Sequence, residues 1–95
     1  MEWKLFADLA EIAGGREVDV AAESGDTVGD ALDALLEARP GLRDRVLDGD
    51  DEVADHINVL RNGRDVRQDG GMETTLEADD ELALFPPVSG GAAGR

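Results

Sequence analysis

Apolar and polar residues alternate over residues 3–7, which predicts a strand with Trp3 and Leu5 on its inner face and Lys4 and Phe6 on its outer face. Residues 9–13 read as a short helix, capped by Asp8 and stopped at Gly14-Gly15. Alternation returns over residues 17–21, with Val18 and Val20 inward and Asp19 outward. The clearest helix follows. Thr27 is its N-cap and Asp30 supplies a weaker form of the capping box. Val28, Ala31, Leu32, Leu35 and Leu36 fall at i, i+3, i+4, i+7 and i+8, one apolar stripe. Arg39-Pro40 ends it, because the residue before proline is pushed out of the α region. Residues 42–47 predict another short helical turn, and residues 48–52 an acidic loop. Residues 57–61 predict a strand with Ile57 and Val59 inward and Asn58 and Leu60 outward. Asn62-Gly63 signals a hairpin, with Val66 on the return strand. Leu76 anchors a turn-rich stretch. Residues 81–85 form the last strand, with Leu82 and Leu84 inward and Phe85 outward beside Ala83 and Glu81. This order predicts an α+β domain in which one sheet packs on one main helix, with short extra helices.

A length of 95 residues is that of a single small domain. Pro86-Pro87 divide it into a folded body over residues 1–87 and a flexible tail over residues 88–95. Nine basic residues stand against 23 acidic ones, a net charge of -14. That balance excludes sustained nucleic-acid binding, which needs clustered Lys and Arg, and disfavours anionic membranes. The periodicity argues against disorder, so the charge implies a densely acidic, strongly hydrated surface of the halophilic kind, whose self-repulsion salt would screen. Without cysteine there is no disulfide, thiolate nucleophile or thiolate metal ligand. No apolar run approaches membrane-spanning length and no signal peptide opens the chain, so the expected location is the cytoplasm.

Few residues carry chemistry. His56 is the one histidine and has no Ser, Cys or second His to work with. The acidic loop lacks the glycine and closing glutamate of an EF-hand, with Val53 where the turn glycine belongs. Gly70-Gly71 reads as a turn. The chain does not read as an enzyme, and no metal site is expected. Two features remain. Phe6, Leu60 and Phe85 each put a large apolar side chain on an otherwise polar outer face, a partner-binding patch if their strands are neighbours. Beyond Phe85 the chain runs Pro-Pro-Val-Ser-Gly-Gly and ends in Ala92-Ala93-Gly94-Arg95.

Three stretches, "EWKLFADLAEIAG", "DHINVLRNG" and "DELALFPPVSGG", resemble the small archaeal modifier proteins, ubiquitin-like relatives of the MoaD and ThiS sulfur carriers. The last stretch is the most specific: an aromatic residue followed by Pro-Pro-Val-Ser-Gly-Gly after the final strand. The resemblance spans residues 1–91. It implies a ubiquitin-like β-grasp with a mixed sheet, in which the first, last and third strands are neighbours. It further implies that Phe6, Leu60 and Phe85, with Pro86, Pro87, Val88 and Ser89, meet a ubiquitin-activating or MoeB-like adenylyltransferase. That partner uses ATP; the chain itself binds no cofactor. The Gly91 carboxylate would be adenylated and then either converted to a thiocarboxylate, for molybdopterin biosynthesis or tRNA thiolation, or joined to a protein lysine. Further implied partners are the molybdopterin synthase large subunit or target proteins, and a processing or deconjugating metalloprotease. Gly90 and Gly91 suit such a path, because a chain without Cβ atoms passes a narrow channel. The prolines cannot donate ladder hydrogen bonds and steer the chain off the sheet. Residues 88–91 then reach about 13 Å when extended.

The residues after Gly91 depart from the family pattern, in which the diglycine is the end. A protease trims them, they are a cloning remnant, or the chain is not conjugated. In the last case it is a non-covalent β-grasp interaction module with a disordered tail. Lys4, the sole lysine, is the one isopeptide acceptor for another copy, so extended polymers are expected to be rare.

Overall fold

The first alternating stretch forms β1 (Glu2–Leu5) in a computed structural model that describes residues 1–49 and 52–86. It is followed by α1 (Asp8–Ala13), β2 (Glu17–Asp19), α2 (Val28–Ala38) and α3 (Arg43–Val46), then β3 (Asn58–Arg61), β4 (Arg64–Asp65) and β5 (Leu82–Phe85). The sheet order is β2-β1-β5-β3-β4. β1 and β5 run parallel at its centre, and the other pairs are antiparallel, so the sheet is mixed. With α2 across one face this is the β-grasp arrangement.

Trp3 is the keystone of the core. Its side chain is fully buried, and its indole Nε1–H donates to the Ala31 carbonyl of α2 at 3.0 Å. The bond satisfies the one polar atom of a large apolar group and sets the height of α2 over β1. The α2 stripe is buried as its spacing requires, against Leu5, Leu82 and Leu84 from the two central strands. Both capping-box bonds form: Asp30 N–H donates to Thr27 Oγ1, and Thr27 N–H to Asp30 Oδ2, each at 3.1 Å. Leu76 is buried, and its N–H donates to Asp26 at 2.7 Å, pinning the loop that starts α2. No polar or charged residue is buried as a whole among the described residues, and apart from the largely covered Asp80 side chain the acidic groups there lie mostly on or near the surface. Folding should therefore strengthen with salt, and the thermal midpoint should rise between about 0.1 M and 1 M KCl as the screening length falls from about 10 Å to about 3 Å. A flat response would show that self-repulsion is not a significant cost.

Two expectations are corrected. Asp8 makes no capping bond; the N-cap of α1 is Ala7, and Asp8 in the first turn pairs with Arg45. Val66 does not continue the return strand. It is buried at the start of a 3-10 turn, Val66–Gln68, so β4 is only two residues long. His56 lies in an exposed turn just before β3.

Ala7 also holds a backbone conformation the sequence does not announce, φ 55° and ψ -133°. The Phe6 carbonyl accepts from Leu9 N–H at 3.2 Å across it, so Ala7 occupies the first central position of a turn that glycine normally fills. A β-carbon there costs about 1–3 kcal/mol, against the smaller entropic cost of glycine. Ala7→Gly should stabilise the protein by about 1 kcal/mol, read as a higher urea midpoint at unchanged slope. A lower midpoint would mean that the turn is not strained.

Candidate docking face

The face of the sheet away from α2 is built by register. Leu5 pairs with Leu84 in the parallel ladder, so Phe6 and Phe85 are the next residues along, both outward. Their rings stack with centroids 4.1 Å apart and planes 10° from parallel. Asn58 lies opposite Phe85 on β3. One step back, Lys4, Ala83 and Leu60 form the neighbouring row across β1, β5 and β3. Leu60 is thus diagonal to Phe85, about 7 Å away in a pair of this kind. The three apolar residues singled out in the sequence share one end of one face, where β5 ends. Phe6 is 39% exposed, whereas Phe85 and Leu60 are half-buried.

Pro86 is buried and continues the inward parity of Leu82 and Leu84, so the body still holds the chain here. It offers no free side chain to a partner. Pro87, Val88, Ser89, Gly90 and Gly91 lie outside the described residues.

Lys4 points outward from β1, and its Nζ lies 3.4 Å from Glu81 Oε1. Behind Glu81 stands a network that parity could not reveal. Asp80, whose side chain is only 7% exposed, accepts from Arg61 Nε at 2.7 Å, Asn62 Nδ2 at 2.8 Å and Glu77 N–H at 2.7 Å. Asn62 Oδ1 in turn accepts from Glu81 N–H at 2.9 Å. Asn62 and Gly63 both have positive φ, 54° and 85°, the hairpin turn their dipeptide predicts. Asn62 therefore serves twice, as a turn former and as a bridge from the hairpin to the start of β5. The signal in the sequence was an Asp preceding the last strand, with no local feature to link it to a hairpin 18 residues away.

Burial works against the charged form of Asp80, but the bonds from Arg61, Glu77 and Asn62 outweigh it and hold its pKa below the ordinary carboxylate value. A group with a lowered folded pKa stabilises the fold fully above its unfolded value, about 3.9, and loses that contribution as pH falls through the folded value. Asp80→Asn should cost about 2 kcal/mol at pH 7, as expected for charge-assisted hydrogen bonds. The gap between mutant and wild type should narrow as pH drops below about 4. Urea unfolding at several pH values reads both; a gap independent of pH would exclude the ion pair as its source.

The described residues hold no cluster of three His, Cys, Asp or Glu able to bind a metal. No helix there is long and apolar enough to cross a membrane. A cleft of about 550 Å³ opens between α2 and the segments around Val53 and Met72. It has an apolar floor and a charged rim of Arg43, Glu52 and Asp55, and Arg67 on its wall is committed to the Ile57 carbonyl at 2.8 Å. It contains no nucleophile-and-base pair of the kind catalysis requires.

Comparison with known proteins agrees with this geometry. The ThiS family profile matches residues 3–91. Small archaeal modifier protein 1 of Haloferax volcanii is 59% identical over 91 residues, covering 96% of this chain and all of the relative. The crystal structure of that organism's SAMP1 superposes with a TM-score of 0.85 at 59% identity, over 95% of this chain and 97% of the other. The sulfur carrier protein CysO of Mycobacterium tuberculosis is 33% identical over 79 residues, 81% of this chain and 84% of the relative. The chain belongs to the ThiS family, among the ubiquitin-like modifiers and sulfur carriers of β-grasp fold.

Proposed function

We propose that this chain is a carrier activated at its diglycine: an adenylating enzyme docks on the Phe6, Leu60 and Phe85 face and receives Gly91 from the residues that follow β5 in the chain. The observation that carries this reading is the Phe6–Phe85 stack, an apolar pair on a polar face where β5, the last described strand, ends. The family match also ends at Gly91, four residues short of Arg95. The Gly91 carboxylate attacks the α-phosphorus of ATP held by the MoeB-like partner; pyrophosphate leaves and an acyl-adenylate forms. A sulfur donor displaces AMP to give a thiocarboxylate, or a lysine amine displaces it to give an isopeptide. The carrier supplies the acyl group and its presentation, and the partner supplies the catalytic groups. Residues 92–95 mask the carboxylate, so a protease, a metalloprotease by family likeness, must first release Gly91.

The test is intact mass after incubation with ATP and the MoeB-like enzyme of the same cell. A chain ending at Gly91 should gain AMP or, with a sulfide source, exchange oxygen for sulfur, while the chain ending at Arg95 stays unchanged. A Gly91-terminated chain of unchanged mass would support the other reading, a non-covalent interaction module.

A further inference from the structure

We infer that the cleft between α2 and the segments around Val53 and Met72 is a second docking site, and that its occupant is a basic amphipathic helix of a partner protein.

The interior of the cleft is aliphatic. Leu32, Val59 and Val66 form a buried floor, and Leu47, Val53 and Met72 form walls that the fold leaves half-buried. Small-molecule pockets pair such a lining with polar groups aimed inward. Here the polar group on the wall is already engaged: Arg67 Nη2 donates to the Ile57 carbonyl at 2.8 Å and reaches the Ala54 carbonyl at 3.5 Å. The cleft therefore suits apolar side chains carried on a backbone that satisfies its own hydrogen bonds, which is what a helix laid in a groove offers.

The rim selects the sign of the partner. The side chains of Asp33, Glu52 and Asp55 are exposed there, and none forms an ion pair with a described residue. Bases elsewhere in the chain are committed, Lys4 to Glu81, Arg45 to Asp8, Arg61 to Asp80 and Arg64 to Asp69. Arg43 is the one rim base that holds neither a carboxylate nor a carbonyl among the described residues, so the free rim groups sum to a negative charge. A partner's Lys or Arg fits such a margin, its stem on the apolar wall and its head at a carboxylate. A second copy does not fit, because each carries a net charge of -14.

Val59 and Leu32 lie on the α2 side of the sheet, and Leu60 points to the opposite side. An occupant of the cleft thus leaves Phe6 and Phe85 clear, and a chain held through its outer face still offers the cleft. This last point rests on the docking face proposed above; the cleft site does not.

The probe is a labelled, amidated helix-forming peptide of about four turns, with Leu at i, i+4 and i+7 and Lys on the flanks. A scramble of the same composition is its control. Binding is followed by fluorescence polarisation at the lowest salt at which circular dichroism shows the full chain folded. The ordered peptide should bind at least about tenfold more tightly than the scramble. The exposed-rim variant Asp33→Asn/Glu52→Gln/Asp55→Asn should weaken it about tenfold, and Met72→Ser at least about threefold. Glu2→Gln/Glu11→Gln/Glu17→Gln, which removes the same charge elsewhere, should change it less than about twofold. Arg43→Glu should tighten it at least about threefold. Equal binding of peptide and scramble, or equal losses in the two triple variants, would overturn the site. A dimer in sedimentation that Met72→Ser dissociates would assign the cleft to a second copy and overturn the choice of partner. In the ATP assay above, the rim variant ending at Gly91 should gain mass as wild type does. Loss of that gain would show that the cleft and the outer face are not independent.

Discussion

Replacing Leu60 and Phe85 together by serine should lower the efficiency of activation, kcat/KM for adenylation at Gly91, by about a hundredfold or more while the protein stays folded. Central apolar anchors of an interface commonly contribute 2 kcal/mol or more each, and about 1.4 kcal/mol is a factor of ten. The cost to the fold is smaller. Both side chains are half-buried and outside the core, and the ring pair contributes about 1 kcal/mol beyond its burial. Circular dichroism in high salt should show native helix and sheet content in the double variant. Phe6→Ser is a second and gentler probe, because Phe6 is the most exposed of the three and its loss leaves the core untouched. Wild-type activation by both variants would remove this face from the mechanism.

Trp3 should be the most costly single position in the fold. Trp3→Ala should destabilise by about 3–5 kcal/mol, the range for deleting a large buried aromatic. That is a large share of the 5–15 kcal/mol available to a typical domain. Trp3→Phe should cost about 2 kcal/mol, partly from the lost bond to Ala31 at about 1 kcal/mol. Urea unfolding in high salt measures both. A Trp3→Phe variant as stable as wild type would show that the indole bond contributes nothing and that ring volume alone holds α2 over β1.

Some elements were legible because their signals are local. Thr27 and Asp30 lie three residues apart, and their reciprocal bonds depend only on the first turn of α2. Asn62-Gly63 needs positive φ at both positions and takes it regardless of what surrounds the hairpin. Parity placed Phe6, Leu60 and Phe85 on the outer face, because side chains alternate along any strand. Other features resisted reading for the opposite reason. Asp8 has the chemistry of a cap, but the turn at Ala7 denies it the geometry and Arg45 takes its carboxylate. Val66 looks like a strand residue, yet a pocket in the core draws it into a 3-10 turn. Asp80 carries no motif, and its three partners come from two other segments.

The sequence by itself determined the order of elements, their inner and outer faces, the acidic surface and the diglycine that follows the last strand. Each follows from the period of a helix or strand, from turn chemistry, or from a count of charges. Periodicity left open which strands are neighbours; the family resemblance implied it, and the tertiary structure shows it. The parallel pairing of β1 with β5 sets Phe6 against Phe85, and the antiparallel pairing of β3 with β5 brings Leu60 in diagonally. It likewise decided that the sole lysine shares that face. Parity fixes the side of a sheet on which a residue lies, but position across the sheet depends on strand order, which the burial of Trp3 and the α2 stripe in one common core selects.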